Sequence, residues 1–398
     1  MPNRFRSQVF ATLGMLLLPM VGAKAQTEEL QITHGPYLQQ VTDSSAMVVW
    51  LTNVEATSWV EYGTGSNLRS FPTYGSVAET ARNSRHGLVD AYTTLHRILI
   101  TDLEPGHEYR YRIFSKLVQG FRPYEVTYGG TIASEVYQFN TLDSDKESFS
   151  FTMLSDIHGD TTRLDSMLGQ VFWDEVDMMF YNGDVIDYYE DESQIVDGFL
   201  DVSVDHFASE IPLILIRGNH ETRGRYARRW IEHFPTVSGR FYYSFDHGPV
   251  HFLVLDSGED KEDAHPVYWG LADFDRYRAE QAEWLLGEVN SEAFTNAEFR
   301  VVLFHIPTFG ARDAHGTLHV REMWNDILND ANVDLVLNGH THRFLHREPT
   351  EGENRYPMVV SGTNTLTRVD VSSDSLSITV TSTEGDVVES FSIAGRGR

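Results

Sequence analysis

Residues 211–221, IPLILIRGNHE, decide how this chain is read. A run of six residues, five of them aliphatic, ends abruptly in Arg217-Gly218-Asn219-His220-Glu221. A short buried strand followed at once by Gly, and then by side chains that bind metals or move protons, marks a site at the strand's carboxyl end. Four other stretches repeat the arrangement. Residues 149–154 lead into Ser155-Asp156-Ile157-His158, and 178–181 into Asn182-Gly183-Asp184. Residues 301–304 lead into His305, and 335–337 into Asn338-Gly339-His340-Thr341-His342. Parallel strands set side by side bring such ends together along one edge.

The assembled set is Asp156, His158, Asp184, Asn219, His305, His340 and His342. Carboxylate, amide oxygen and imidazole suit divalent metals of intermediate hardness. Seven donors exceed one tetrahedral site, and one carboxylate between two triplets can bridge a metal pair of the kind used for displacement at phosphorus.

In chain order, D-x-H, G-D, G-N-H-E, a lone His and G-H-x-H resemble the calcineurin-like metallophosphoesterase superfamily over roughly residues 148–347. The resemblance implies that Asp156, His158 and His342 hold one metal, that Asn219, His305 and His340 hold the other, and that Asp184 bridges. It also implies two divalent ions (Mn, Zn or Fe) that activate water, with His220 as the general acid. The implied substrate is a small phosphate ester, most simply a monoester. A phosphodiesterase or nucleotide hydrolase has the same ligand set, and an inactive surface-binding protein is the alternative from another class. Two roles are open to Glu221: orienting His220, or serving as a first-turn acid of the next helix. Arg217, Arg223, Arg225, Arg228 and Arg229 make the one basic island, either for phosphate or salted against acids. Arg223 and Arg225 are its best substrate-binding candidates. Two further D-x-H triplets (Asp263/His265 and Asp313/His315) and the Gly-Asp pairs at Asp160 and Asp386 lack a strand-like lead and are assigned to loops.

Residues 30–142 carry short alternating runs at 46–51, 59–62, 96–100, 109–114 and 135–139, separated by Gly, Asn, Pro and Ser clusters. These predict an antiparallel fibronectin/Ig-like sandwich, in which residues 103–111 resemble the fibronectin-type tyrosine corner and Trp50 its core Trp. Opening on His34-Gly35-Pro36-Tyr37-Leu38-Gln39, this segment resembles the N-terminal domain of purple acid phosphatases. It either binds glycan or cell wall or only shapes one side of the active-site cleft, and the absence of any ligand-like cluster favours the second. A polar linker, 143–147, leads to an α/β domain over 148–398, expected as four layers, helix/sheet/sheet/helix. Helical spacing marks 162–171, 192–209 and 280–289, a hairpin is expected at 242–252, and strand-like runs recur at 358–361, 368–371, 376–381 and 387–393. The resemblance assigns that tail to the second sheet.

The resemblance fails at one place. Purple acid phosphatases carry D-x-G and then G-D-x-x-Y, whose Tyr binds Fe(III). Here His158 stands in the first motif, Asp187 takes the Tyr position, and Tyr188 comes one residue late. An imidazole in place of a phenolate favours divalent ions and a colourless protein.

The 398 residues contain no Cys, which excludes disulfides and thiolate metal sites. Arg4 and Arg6 precede an apolar run, and Ala23-Lys24-Ala25 is a small-x-small site, so residues 1–25 read as a secretory signal peptide. A periplasmic or secreted protein follows, with no membrane-spanning segment in the mature chain. Cleavage removes three bases and no acid, taking the net charge from −27 to −30. Such a chain repels nucleic acid and anionic lipid, so a polyanionic substrate needs a local basic island.

Overall fold

The computed structural model describes residues 29–64 and 79–397, so the leader at 1–25 lies outside the described residues. The N-terminal part is all β. Residues 46–51 and 59–62, expected as two strands, belong to one strand of 18 residues, Ala46–Gly63. Its register breaks between Leu51 and Ala56. Before the break it pairs with Ile32–Gln39 and Thr93–Ile100, and after it with Glu79–Ala81 and Glu108–Arg122. A bulge re-aims a strand in this way, so one strand serves both halves of the sandwich. Val48, Trp50, Val60 and Tyr62 share a core with Ile98, Tyr111, Ile113 and Phe139. The tyrosine corner is formed: the Tyr109 hydroxyl accepts the Glu104 N–H at 2.9 Å.

Two six-stranded sheets follow. The first runs Leu213–Ile216, Met178–Asn182, Ser148–Leu154, Thr365–Ser372, Ser375–Ser382, Val387–Ala394, with the first three parallel. In the second, Val250–Val254, Phe299–Leu303, Leu335–Asn338 and Met358–Val360 are parallel, with Tyr243–His247 and Leu345–Arg347 antiparallel at the edges. The tail is therefore split. Only Met358–Val360 joins the second sheet as expected, and the last three strands extend the first. The alternation of buried residues in Thr365–Ser372 and Ser375–Ser382 fits antiparallel hairpins that add to a sheet by local turns.

Alternation also builds the layers. Phe149, Phe151, Met153 and Phe180 meet Phe252, Val301, Leu303 and Leu337 between the sheets. Leu154, Met179, Tyr181 and Leu215, one residue out of step, pack under helix Thr161–Leu168 and the helical run 193–208. Leu253, Val302, Phe304 and Val336 pack under helices Phe274–Glu288 and His315–Asp330. The order is helix/sheet/sheet/helix, as anticipated.

The β-rich part leans on the first helical layer. Tyr37 Oη donates to the His233 carbonyl at 2.8 Å, Gln39 Nε2 to Leu213 O at 2.7 Å, and Tyr111 Oη to Ser209 O at 2.6 Å. His233 Nδ1 in turn lies 3.2 Å from the Tyr189 hydroxyl, on the loop that follows Asp184. This part supports the loop from behind and, among the described residues, contributes none to the donor clusters described next.

Candidate metal centre

The five ligand-bearing strands sit in two sheets, not one, and their carboxyl ends converge at the same end of the sandwich. Donor atoms of Asp156, His158, Asp184 and His342 lie within 4.8 Å of one another, and so do those of Asp184, His305 and His340. Asp184 is common to both sets. Asn219 joins through His340, whose Nδ1 is 3.0 Å from Asn219 Oδ1.

Short turns after the strands impose unusual backbone. Asp156, His158, Asp184, His340 and His342 all have positive φ, between 53° and 75°. Non-glycine residues held there are strained, and the surrounding bonds must over-determine them. Asp156 N–H donates to Gly183 O and His158 N–H to Asp184 O, both at 3.0 Å, which locks two ligand turns together. The glycines in these motifs allow close approach. A Cβ on Gly218 would lie 2.4 Å from Asp184 Oδ1, and one on Gly339 only 1.8 Å from Ser155 Oγ.

Glu221 stands in the first turn of the short helix His220–Thr222, one of the two roles open to it, but its carboxylate turns inward. It is fully buried, and its carboxylate accepts the N–H groups of Gly218, Asp184 and Val185, each at 2.8 Å. It ties the Asn219 turn to the Asp184 turn. Burial and the Asp184 charge push its pKa up to about 7, while those N–H groups pull the other way. Its place beside His220 in G-N-H-E was the available signal, but nothing local showed the side chain turning inward.

The donor set fits a pair of cations. His305 Nδ1 donates to the Asn182 carbonyl at 2.7 Å, which turns Nε2 toward Asp184. That nitrogen is buried 3.0 Å from Asp184 Oδ2 without hydrogen-bond alignment. Asp156 Oδ1 is likewise buried and unbonded, 3.3 Å from His342 Nε2. His158 Nε2 faces His342 Nε2 at 3.2 Å. Ligands on a cation with metal–ligand bonds of about 2.0–2.1 Å stand roughly 3.0–3.4 Å apart, which matches these separations. The electrostatics show the same crowding. For His305, burial acts to lower the pKa, but Asp184 and Asp156 outweigh it and raise it to about 10. Burial, with His305 alongside, lowers His340 to about 4. Burial acts to raise Asp184, yet His305 and His220 hold it well below the usual carboxylate range.

His220 stands beside this set. Its Nδ1 donates to the Asp187 carbonyl at 2.8 Å, its own N–H donates to Asp184 Oδ1 at 2.9 Å, and its Nε2 accepts from Arg223 Nη1 at 2.9 Å. Arg223 is anchored by Glu259 through Nε and Nη2 at 2.9 and 3.0 Å. The basic island is largely salted: Arg217 pairs with Asp256, Arg225 with Glu190 and Arg229 with Glu232. Arg225 is mostly exposed, at the rim of a cavity of about 700 Å³ shared with Arg223, Arg228, Tyr268 and Trp269. Another cavity, of about 600 Å³ around Lys146, Asp177 and His247, lies at the amino ends of the strands, remote from the donors.

The discounted motifs behave as loops and caps. Asp160 caps helix Thr161–Leu168, Asp263 accepts the N–H groups of Phe274 and Asp275, and Asp386 sits in a turn. His315 is the exception, since it opens a helix. His247 and His251 are tied to Asp143 N–H and to Asp246, away from the donors.

Comparison with known proteins agrees. Residues 149–344 match the calcineurin-like phosphoesterase family, and residues 35–141 match the purple acid phosphatase N-terminal domain. The chain is 24% identical over 324 residues to a probable purple acid phosphatase 20 of Arabidopsis thaliana, covering 77% of this chain and 67% of that protein. It is 25% identical over 325 residues to purple acid phosphatase 18 of the same plant, covering 76% of this chain and 63% of that one. The solved purple acid phosphatase PPD1 from yellow lupin seeds superposes with a TM-score of 0.63 at 16% identity, over 90% of this chain and 74% of that one, a likeness of fold. With the donor ladder assembled, this chain carries a calcineurin-like phosphoesterase domain over residues 149–344, preceded by a purple acid phosphatase N-terminal domain over residues 35–141.

Proposed function

We propose that this chain is an exported phosphomonoesterase working with two divalent metal ions. The observation that carries the proposal is the pair of donor clusters that share Asp184. Asp156, His158 and His342 hold one ion, Asn219, His305 and His340 the other, and Asp184 both. When bound, two such ions supply the Lewis acidity that ionises water and offsets charge on the phosphoryl oxygens. The remaining work falls to the side chains. His305 and His158 are oriented by their second nitrogens, through the Asn182 carbonyl and Asp187. Arg223 offers its guanidinium to the substrate phosphate, and once drawn to it leaves His220 Nε2 free to take a proton from solvent and pass it to the leaving oxygen. Glu259 keeps Arg223 from swinging away, and the cavity beyond it receives the organic half of the ester.

Parallel assays of a phosphomonoester and a phosphodiester, after chelation and add-back of single metals, test this. Monoester turnover restored by Mn or another divalent ion is expected. Faster diester turnover would overturn the substrate assignment, and activity indifferent to chelation would overturn the metals. Asp184→Asn should deplete both ions together, because one carboxylate serves both clusters. Export is tested by N-terminal sequencing, with Gln26 or a residue within one or two of it expected first.

A further inference from the structure

Helices Phe274–Glu288 and His315–Asp330 pack on the outer face of the second sheet, and their first turns bring Asp275, His315 and His319 together. One donor atom from each lies within 4.8 Å of the others. His315 Nε2 is 2.7 and 3.0 Å from the two Asp275 oxygens, and His319 Nδ1 is 3.5 Å from Oδ1. Donors on a four-coordinate zinc, with bonds of about 2.0–2.1 Å, stand about 3.3–3.4 Å apart, a spacing that these carboxylate–imidazole separations bracket.

Three features single this cluster out from an ordinary ion pair. The histidines are four apart on one helix, the spacing that puts two zinc-binding imidazoles on one face. Their rings lie nearly parallel, 11° apart, with centroids at 5.5 Å. His319 Nδ1 is buried without a hydrogen-bond partner, close to the carboxylate yet outside bonding alignment. Burial also lowers the pKa of His319, which favours the neutral form that binds metal. The opposing charge is Arg278. Its Nη1 donates to Asp275 Oδ1 at 2.8 Å, and its other nitrogens are taken by the Ser257 and Glu259 carbonyls, so Asp275 Oδ2 faces His315 Nε2 with no Arg278 nitrogen bonded to it. Asp275 and His315 are each about a third exposed, which gives an ion access from solvent.

We propose that Asp275, His315 and His319 form a further divalent-metal site, suited to a zinc-like ion, that staples the first turns of these two helices. It stands apart from the Asp184 centre and requires no ligand of that centre.

The test uses the full chain, stripped by chelator, loaded with zinc in measured steps, desalted and analysed by mass spectrometry for metal per chain. His315→Ala and His319→Gln should each bind one equivalent less than the wild type, and the zinc-dependent rise in melting temperature should shrink in both. Asp275→Asn, a surface change that keeps volume and helix cap, should show the same loss even if a histidine variant folds poorly. Reading the difference between wild type and variant makes the result independent of how many ions the Asp184 centre takes. Equal zinc content in the wild type and Asp275→Asn, with circular dichroism unchanged, would overturn the proposal.

Discussion

The N-terminal sandwich carries an acid-sensitive element at His96. The ring is buried and stacks beside Trp50, with centroids 5.2 Å apart. Its hydrogen bonds run in one direction. Trp50 Nε1 donates to Ser115 Oγ at 2.9 Å, Ser115 Oγ and Ser58 Oγ are 3.1 Å apart, and Ser58 Oγ is 2.8 Å from His96 Nδ1. On the other side His96 Nε2 is 2.9 Å from Thr52 Oγ1, whose own proton goes to the Val54 carbonyl at 2.8 Å. Thr52 must therefore accept, so His96 carries its proton on Nε2 and accepts the Ser58 hydroxyl at Nδ1. A second proton on Nδ1 would face a donor in a dry core.

Burial accordingly lowers the pKa of His96 from 6.5 to about 4. Between those values the unfolded chain binds a proton that the folded chain does not, so stability falls as pH falls through that window. The full separation corresponds to about 3 kcal/mol, of which about 2 kcal/mol is lost between pH 7 and pH 4.5. His96→Gln has no such proton to bind. It should start less stable, with part of the network broken, but lose about 2 kcal/mol less than the wild type on acidification. Urea unfolding of both proteins at the two pH values measures this, and groups common to both cancel in the difference. Parallel losses in the two proteins would show that His96 does not titrate as argued. The question matters because its named relatives are acid phosphatases, and this sandwich supports the Asp184 loop through Tyr37 and His233.

Other substitutions probe the centre itself. His220→Ala should lower turnover about a hundredfold or more while metal content stays at the wild-type level; metal lost in step with activity would make His220 a ligand. Glu221→Gln keeps shape but turns an amide donor toward buried N–H groups that the carboxylate accepts. A loss of about 2–3 kcal/mol in urea unfolding is expected, and an unchanged midpoint would refute the tie. Gly339→Ala places a methyl group 1.8 Å from Ser155 Oγ and 2.9 Å from Asp156 Oδ2. The Asp156 turn must then move, so metal content per chain should drop, and full loading would contradict the close approach.

Much of this was legible because chemistry and strand ends coincide in the sequence. Each buried run stops where a Gly, Asp, Asn or His begins, and that boundary survives whichever sheet a strand joins. The division into two sheets was not legible, since a parallel strand buried on both faces reads the same in either. Strand Ala46–Gly63 hid for a related reason: Asn53, Val54 and Glu55 look like a loop, yet they form the bulge by which the strand changes partners. Glu221 and the left-handed turns escaped because both arise from contacts between loops distant in sequence. Arg223 lies against His220, which is three residues before it, but its clamp, Glu259, lies 36 residues on and carried no motif.

Position 187 shows what a substitution in a motif can do beyond removing a ligand. Where the resemblance expects Tyr, Asp187 accepts from His158 Nδ1 at 2.8 Å through its carboxylate and from His220 Nδ1 at 2.8 Å through its carbonyl. One residue thus sets the tautomer of an imidazole in the first cluster and of the candidate acid. His158 is left with Nε2 toward His342, and a carboxylate behind an imidazole makes it a stronger donor. Tyr188 stands half exposed, and it is Asp187, not Tyr188, whose carboxylate lies behind His158. Negative charge that a phenolate would deliver directly reaches the proposed metal here through a neutral ring. Such a ligand stabilises a trivalent ion less than a phenolate does, so the compensation built around Asp187 and His158 suits a divalent pair.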